Sequence, residues 1–304
     1  MAAQRSRVEF CPTGLPVGIE VLGVDLSQQL DTVVLHGIEQ AFNNNGVLFF
    51  RGQSLSPENL LDFSRAFGAL EAHVRQEFAL PGYPEIHLVS NIKEGERSLG
   101  SAYAGDDWHT DLCFMKEPSR CSVLYAVEVP MKDGKTLGDT EFCSTAFAYN
   151  MLREETKQKL NGRRAIFQYH RAQTRKHQQR QHDYPRLQLT PEQKAMTPDI
   201  AHPAVRCHPV TGQNCLYVNQ TYTFGIEGMT EEESRPLLAE LYAHITRPRY
   251  VYRHNWRVGD VLMWDNCLTQ HRAIGDYVLP QRRLMYRTSV KGPMPFPAQR
   301  RKCS

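Results

Sequence analysis

The sequence predicts a mainly β fold with flanking helices, its strands belonging to an antiparallel barrel or jelly-roll core. Three observations predict it. Short apolar runs of strand length recur along the chain, bounded by turn residues. Strands and helices do not alternate in the regular way that builds a parallel sheet. No glycine-rich loop follows a strand in the manner of a nucleotide-binding unit, which disfavours a doubly wound fold.

In chain order, residues 31–45 (DTVVLHGIEQAFNNN) carry helical periodicity, and GVLFFRG at 46–52 follows as a buried strand. Ser56-Pro57 opens a second helix with Leu60, Phe63 and Phe67 on one face. CSVLYAVEV at 121–129 is a strand stopped by Pro130, and Asp133-Gly134 marks a turn before a short segment that begins at Thr140. Residues 144–160 are predicted helical. Thr230 and Glu233 form a capping box for a helix to about His244. VLMWD at 261–265 and RLMYRTSV at 283–290 are strands, and the tract between them holds His271 and a Gly275-Asp276 turn.

The chain has 304 residues and a net charge of only +3, enough to bury one large core and too little to imply nucleic acid. With no internal repeat or linker, residues 1–304 are expected to form a single domain. The N-terminus MAAQRSRVEF lacks the apolar stretch of a signal peptide, and no segment is apolar for long enough to cross a bilayer. The eight cysteines are scattered without a CxxC pair, which excludes a zinc ribbon and makes a disulfide framework improbable in so long a chain. A cytoplasmic protein with reduced thiols is expected.

Residues 163–186 (RRAIFQYHRAQTRKHQQRQHDYPR) are rich in Arg, Gln and His with few apolar residues. Two readings stand open: a solvated surface loop, or a lid inserted over a site that takes an anion.

The chemistry begins at Trp108-His109-Thr110-Asp111. On an extended segment, His and Asp two apart face the same side and can grip one metal ion. HxD alone is common, so a further ligand is required. Of the twelve histidines, His271 lies in a tract entered from an apolar strand and left through a turn, so it can face inward at a barrel mouth. Two imidazoles and one carboxylate leave three positions open, which suits ferrous oxygen chemistry better than a closed zinc site. Arg283 and Arg287 sit four apart on the following strand and share a face if that strand is regular. Inward guanidinium groups need anions, so two such arginines imply two anionic ligands; two exposed arginines on a basic strand are the alternative. His36 is read as structural or exposed, His170, His177 and His182 as solvated, and His202 and His208 as packing or hydrogen-bonding residues flanking a strand.

Several longer motifs now carry a resemblance: GVDLS from Gly23, WHTDLCF at 108–114, GDTEF at 138–142, HPVTG at 208–212, and WDNCLTQHRAIGDYVLPQRRLMYR at 264–287. Over nearly its whole length the chain resembles the taurine dioxygenase/TfdA-type dioxygenases, which depend on Fe(II) and 2-oxoglutarate and have a double-stranded β-helix core. The resemblance implies that His109, Asp111 and His271 hold iron and that Thr140 and Arg283 hold the distal carboxylate of 2-oxoglutarate. It further implies that Arg287 meets the anionic group of the substrate, with His73, Leu112 and Tyr222 also beside the substrate. Dioxygen is the second co-substrate, and succinate and CO2 are the co-products. The expected substrate is a small organic anion: a sulfonate, an aryloxyalkanoate or another carboxylate. Relatives form dimers or tetramers, so a homo-oligomer is expected. Gln76 replaces a tyrosine of the taurine dioxygenase pattern and Gly105 an asparagine, which argues against taurine itself. The rival readings are a cupin-type metal-dependent hydrolase or isomerase, and a non-catalytic binding protein on the same scaffold.

Overall fold

The structure, a computed structural model, describes residues 8–102, 105–180 and 189–298. Its core is a jelly roll. The larger sheet has eight strands in the order Glu9–Pro12, Ile19–Leu22, Val47–Phe50, Val261–Asp265, Ser119–Glu128, Leu284–Lys291, Tyr83–Ser90 and Ala79–Leu80. Facing it, Thr140–Ser144 lies between Val251–His254 and Thr269–Ala273. Neighbours in both sheets are antiparallel except Ile19–Leu22 against Val47–Phe50.

The alternation of strand side chains divides the core. In the VLFF strand, Leu48 and Phe50 pack with Val123 and Met263 beneath helices Thr32–Asn45 and Pro57–Arg65. Val47 and Phe49 point the other way, onto Leu124, Phe142, Leu262 and Trp264 between the sheets. A strand buried on both faces reads as an unbroken apolar run, as this one does. Each deeply buried side chain of this kind contributes about 1.5–3 kcal/mol. A third apolar cluster, including Leu238 and Leu241, lies beneath helix Glu231–Ile245.

Local signals place the helix ends. Asp31 caps Thr32–Asn45 by accepting from the Val33 amide, and Gly46 closes that helix at φ 74°, donating to the Phe42 carbonyl at 2.8 Å. Ser56 with Asn59, and Thr230 with Glu233, form complete capping boxes.

Two expectations need correction. Residues 144–160 are two helices, Thr145–Asn150 and Glu154–Leu160, with a break in which Arg153 takes an extended N-cap conformation. The polar stretch is not a loop where it is described. Arg164–Phe167 joins a three-stranded sheet with Ile200–Pro203 and Thr223–Ile226, and Tyr169–Arg180 is a helix. That helix buries Ala172 and Lys176, and Lys176 Nζ bonds Asp106 at 2.9 Å beside the WHTD motif. Arg175 donates to the carbonyls of Gln220 and Thr221. Residues 181–188, with His182, lie outside the described residues. No described helix is long and apolar enough to cross a membrane, and seven described cysteines are free thiols.

Candidate metal centre

His109 and His271 face one another across a two-bond antiparallel bridge. His109 N–H donates to the His271 carbonyl at 3.0 Å, and His271 N–H donates to that of His109 at 2.9 Å. The extended conformation expected for HTD is confined to this bridge. Asp111 already lies in a turn, and Leu112 after it takes φ 51°, a left-handed conformation that costs a branched side chain energy. The turn nonetheless brings the carboxylate to the imidazoles. One ligand atom from each of His109, Asp111 and His271 lies within 4.8 Å of the other two, and all three residues are buried.

The separations are informative. His109 Nε2 is 3.6 Å from Asp111 Oδ1, and His271 Nε2 is 3.9 Å from Oδ2. Both exceed hydrogen-bond length. Two metal–ligand bonds of about 2.1 Å bridge gaps of this size. The Nδ1 atom of His109 is hydrogen-bonded to the Asp107 carbonyl at 2.8 Å, which leaves Nε2 as the nitrogen facing Asp111. His271 Nδ1 is buried and has no partner, so its ring is held instead by Phe142 at 5.7 Å and Trp264 at 4.7 Å between centroids. Burial opposes charge on Asp111, but the Arg287 guanidinium beside it more than offsets that and holds the carboxyl well below its usual range. Burial, His109 and Arg287 push His271 far down, so it stays neutral and able to ligate. These donors fit a divalent ion.

Thr140 stands opposite Ala273, two residues along from the Phe142–His271 pair, and so lies on the His271 face of its sheet. Its Oγ1 accepts from Trp256 Nε1 at 2.9 Å, which frees its own O–H to donate. Arg283 is 2% exposed, and its Nε has no partner. It adjoins the same GDT segment, because a Cβ on Gly138 would lie 3.4 Å from that Nε. Trp264 Nε1 and Arg287 Nε are also buried donors without partners. Buried donors left unpaired cost about 1–3 kcal/mol each, so donors of this kind beside a metal site fit an anionic ligand.

Arg283 and Arg287 do not share one regular strand. Arg283 precedes Leu284–Lys291, and the register shifts between Leu284 and Met285. A spacing of four therefore did not by itself place both inward, although both are largely buried. Arg287 Nη1 approaches Asp111 Oδ1 at 3.3 Å.

His73 lies near this arginine, and Arg75 N–H donates to its Nδ1 at 3.1 Å. Burial first, and then Arg287, push His73 down to about 3, so it is a neutral donor through Nε2. Its ring is 4.2 Å from that of His87, which sequence reasoning missed. His87 pairs directly with Arg287 across two strands, is 4% exposed, and has a partnerless Nδ1. A polar residue in the middle of the EIHLVS strand was the available signal. Tyr222 closes another side, 6.3 Å from the His109 ring and 5.0 Å from Phe114. Gly105 is explained by crowding: at φ 81° a Cβ would meet His109 Cε1 at 2.9 Å, so a larger residue there would displace the imidazole. Gln76 braces the nearby loop through the carbonyls of His73 and Pro84.

The other described histidines are occupied elsewhere, His244 on the Ala148 carbonyl and His254 on Asp260 among them. His36 bonds Gln40, His170 is half-buried on Thr197, His177 is half-buried, His202 lies within a strand and bonds the Met115 carbonyl, and His208 bonds Asp265. Solvation of His170 and His177 is thus only partial.

Residues 9–289 match the family model described as taurine catabolism dioxygenase TauD, TfdA family. An alpha-ketoglutarate-dependent 2,4-dichlorophenoxyacetate dioxygenase of Cupriavidus pinatubonensis (strain JMP 134 / LMG 1197) is 34% identical over 88% of this chain and 92% of its own length. An alpha-ketoglutarate-dependent sulfate ester dioxygenase of Pseudomonas putida is 29% identical over 93% and 89%. Among solved structures, a taurine dioxygenase from Burkholderia xenovorans superposes with a TM-score of 0.77 at 30% identity, covering 95% of this chain and 90% of that one. AAD-2 in complex with Mn(II) and N-oxalylglycine gives 0.77 at 28% identity, covering 95% and 99%. The chain belongs to the TauD/TfdA family and is a 2-oxoglutarate-dependent dioxygenase.

Proposed function

We propose, from this membership and the buried His–Asp–His set, that the enzyme holds Fe(II) through His109, Asp111 and His271 and hydroxylates a small organic anion. The observation that carries the proposal is the convergence of three buried ligands whose His–Asp separations, 3.6 and 3.9 Å, are too long for hydrogen bonds. Bound there, ferrous iron supplies the activation of dioxygen toward an unreactive C–H bond. One oxygen atom enters the substrate as a hydroxyl; the other enters succinate as 2-oxoglutarate loses CO2.

The chain's own residues bind and orient. Arg283, with its partnerless Nε, and the Thr140 hydroxyl take the distal carboxylate of 2-oxoglutarate. Arg287 and His73 take the anionic group of the substrate, while Leu112 and Tyr222 shape the wall beside His109. Fixing both anions places one C–H near the metal and supplies proximity rather than acid–base chemistry. The relatives' substrates, 2,4-dichlorophenoxyacetate and sulfate esters, make aryloxyalkanoates, sulfate esters and sulfonates the classes to try. The whole chain acts as one domain, with the helix at Tyr169–Arg180 as part of a cover over the site.

The test is succinate release by the purified enzyme with Fe(II) and 2-oxoglutarate across alkyl sulfates, alkanesulfonates, aryloxyacetates and simple carboxylates. Substrate-dependent succinate from at least one class is expected. An anaerobic Fe(II)–protein mixture that gains no visible absorption band on adding 2-oxoglutarate would overturn the metal assignment.

A further inference from the structure

We infer that Ser122 is the positioning residue that orients the metal-binding carboxylate of Asp111, an inference that rests on the proposed His109–Asp111–His271 centre. Ser122 lies eleven residues beyond Asp111, in the Ser119–Glu128 strand of the larger sheet, and is 0% exposed. Its Oγ lies 2.7 Å from Asp111 Oδ2.

The direction of this bond follows from the surrounding network. Asn266 Oδ1 accepts from the Asp111 backbone N–H at 3.3 Å. That contact sets the amide orientation, because the flipped side chain would set two donors against each other. Asn266 Nδ2 must then donate, and it reaches Ser122 Oγ at 3.1 Å and Ser119 Oγ at 3.3 Å. Ser119 spends its own proton on the carbonyls of Cys121 and Val290. With Asn266 donating into Ser122 Oγ, the single Ser122 proton goes to Asp111 Oδ2, a charge-assisted bond in a buried setting.

The two carboxylate oxygens are therefore unequal. Oδ2 is held by a hydroxyl that is itself held in place. Oδ1 faces His109 Nε2 at 3.6 Å and has only the longer Arg287 contact at 3.3 Å. Arg287 is also the group assigned to the anion of the substrate, so its hold on Asp111 competes with that role. Ser122 has no competing acceptor within this network. It keeps the carboxylate oriented whether or not Arg287 is engaged elsewhere, and it favours ligation through one oxygen.

The experiment titrates Co(II) alone into the metal-free full-length enzyme, following the visible ligand-field bands and the metal-induced rise in melting temperature. The same is done for Ser122→Ala, Ser122→Cys and Ser122→Thr. Wild type is expected to bind one equivalent. Ala and Cys, which lack a strong donor, are expected to bind about 10- to 100-fold more weakly with altered bands, the range typical of lost partners to metal ligands. Thr, which keeps the hydroxyl, is expected within about threefold of wild type. The metal-free melting temperatures separate positioning from folding: Ala is expected to show a smaller metal-induced rise while melting near wild type without metal. Affinity in Ala equal to wild type overturns the inference, as does equal weakening in Thr and Ala, which would point to packing. Failure of both Ala and Cys to fold overturns it too, since the hydroxyl would then serve the fold. Failure of wild type to bind Co(II) removes the centre itself and is distinct from the other results.

Discussion

Asp111 and Asp265 are both buried carboxylates flanked by histidine and arginine, yet they have opposite surroundings. Asp265 is closed. His208 Nε2 donates to it at 2.8 Å, the Cys267 amide donates at 2.7 Å, and Arg120 pairs with it. His208 Nδ1 in turn accepts from the Thr211 amide at 3.0 Å, which settles its tautomer. These partners satisfy the carboxylate, so the cluster braces the turn that carries Asn266. At Asp111 the imidazole nitrogens stand 3.6 and 3.9 Å away, and only Ser122 bonds closely. The same residue types thus make a structural brace when they satisfy one another and a candidate metal centre when they converge without doing so.

The largest test of that contrast removes a ligand. His109→Ala or His271→Ala is expected to abolish succinate release and stoichiometric metal uptake, measured by succinate assay and metal analysis. The equivalent removal at the brace, His208→Ala, is expected to leave the metal stoichiometry of the folded protein at one. Next comes stability. Asp265→Asn leaves Arg120 and His208 without their charge partner and is expected to cost about 3–5 kcal/mol in urea unfolding of the metal-free protein. Asp111→Asn, with fewer close bonds to lose, is expected to cost less than about 2 kcal/mol. The reverse order would break the comparison.

The two arginines sharpen it further. Arg283→Ala is expected to raise the KM for 2-oxoglutarate about 10- to 100-fold, the loss of one charge-assisted contact of about 1.5–3 kcal/mol. Arg287→Ala is expected to leave that KM within about threefold and to change which anions are turned over.

The smallest effect concerns acid. Burial pushes His202 down to about 4, against the opposing pull of the Met115 carbonyl. The unfolded chain takes up a proton below about 6.5 while the folded one does not, so stability falls as pH drops from about 6.5 to about 4. His202→Gln is expected to remove roughly 1–2 kcal/mol of the loss between pH 6.5 and 5, read from denaturation midpoints at the two pH values. An unchanged acid slope would show that His202 is protonated in the folded state.

Much of this architecture is legible in the chain because its causes are local. The Asp31, Ser56 and Thr230 caps, the Gly46 stop and the apolar runs at 47–50, 121–129 and 261–265 depend on neighbours a few positions away. The errors arose where local pattern is ambiguous. The 144–160 segment keeps helical composition through a break, and the 163–180 segment is polar yet docks through buried Lys176.

By itself the sequence determined most of the elements and the family, and it nominated the His–Asp–His set, since the long motif around His271 is contiguous and specific. Only the tertiary structure decided which other polar residues meet that set. His87 reaches Arg287 across a strand pair, and Ser122 and Asn266, far apart in the sequence, reach Asp111 together from a strand and the end of its neighbour. The physical reason is register. A one-residue slip between strands turns every side chain to the opposite face, and the pairing that forbids the slip is a property of the assembled sheet, not of any one segment.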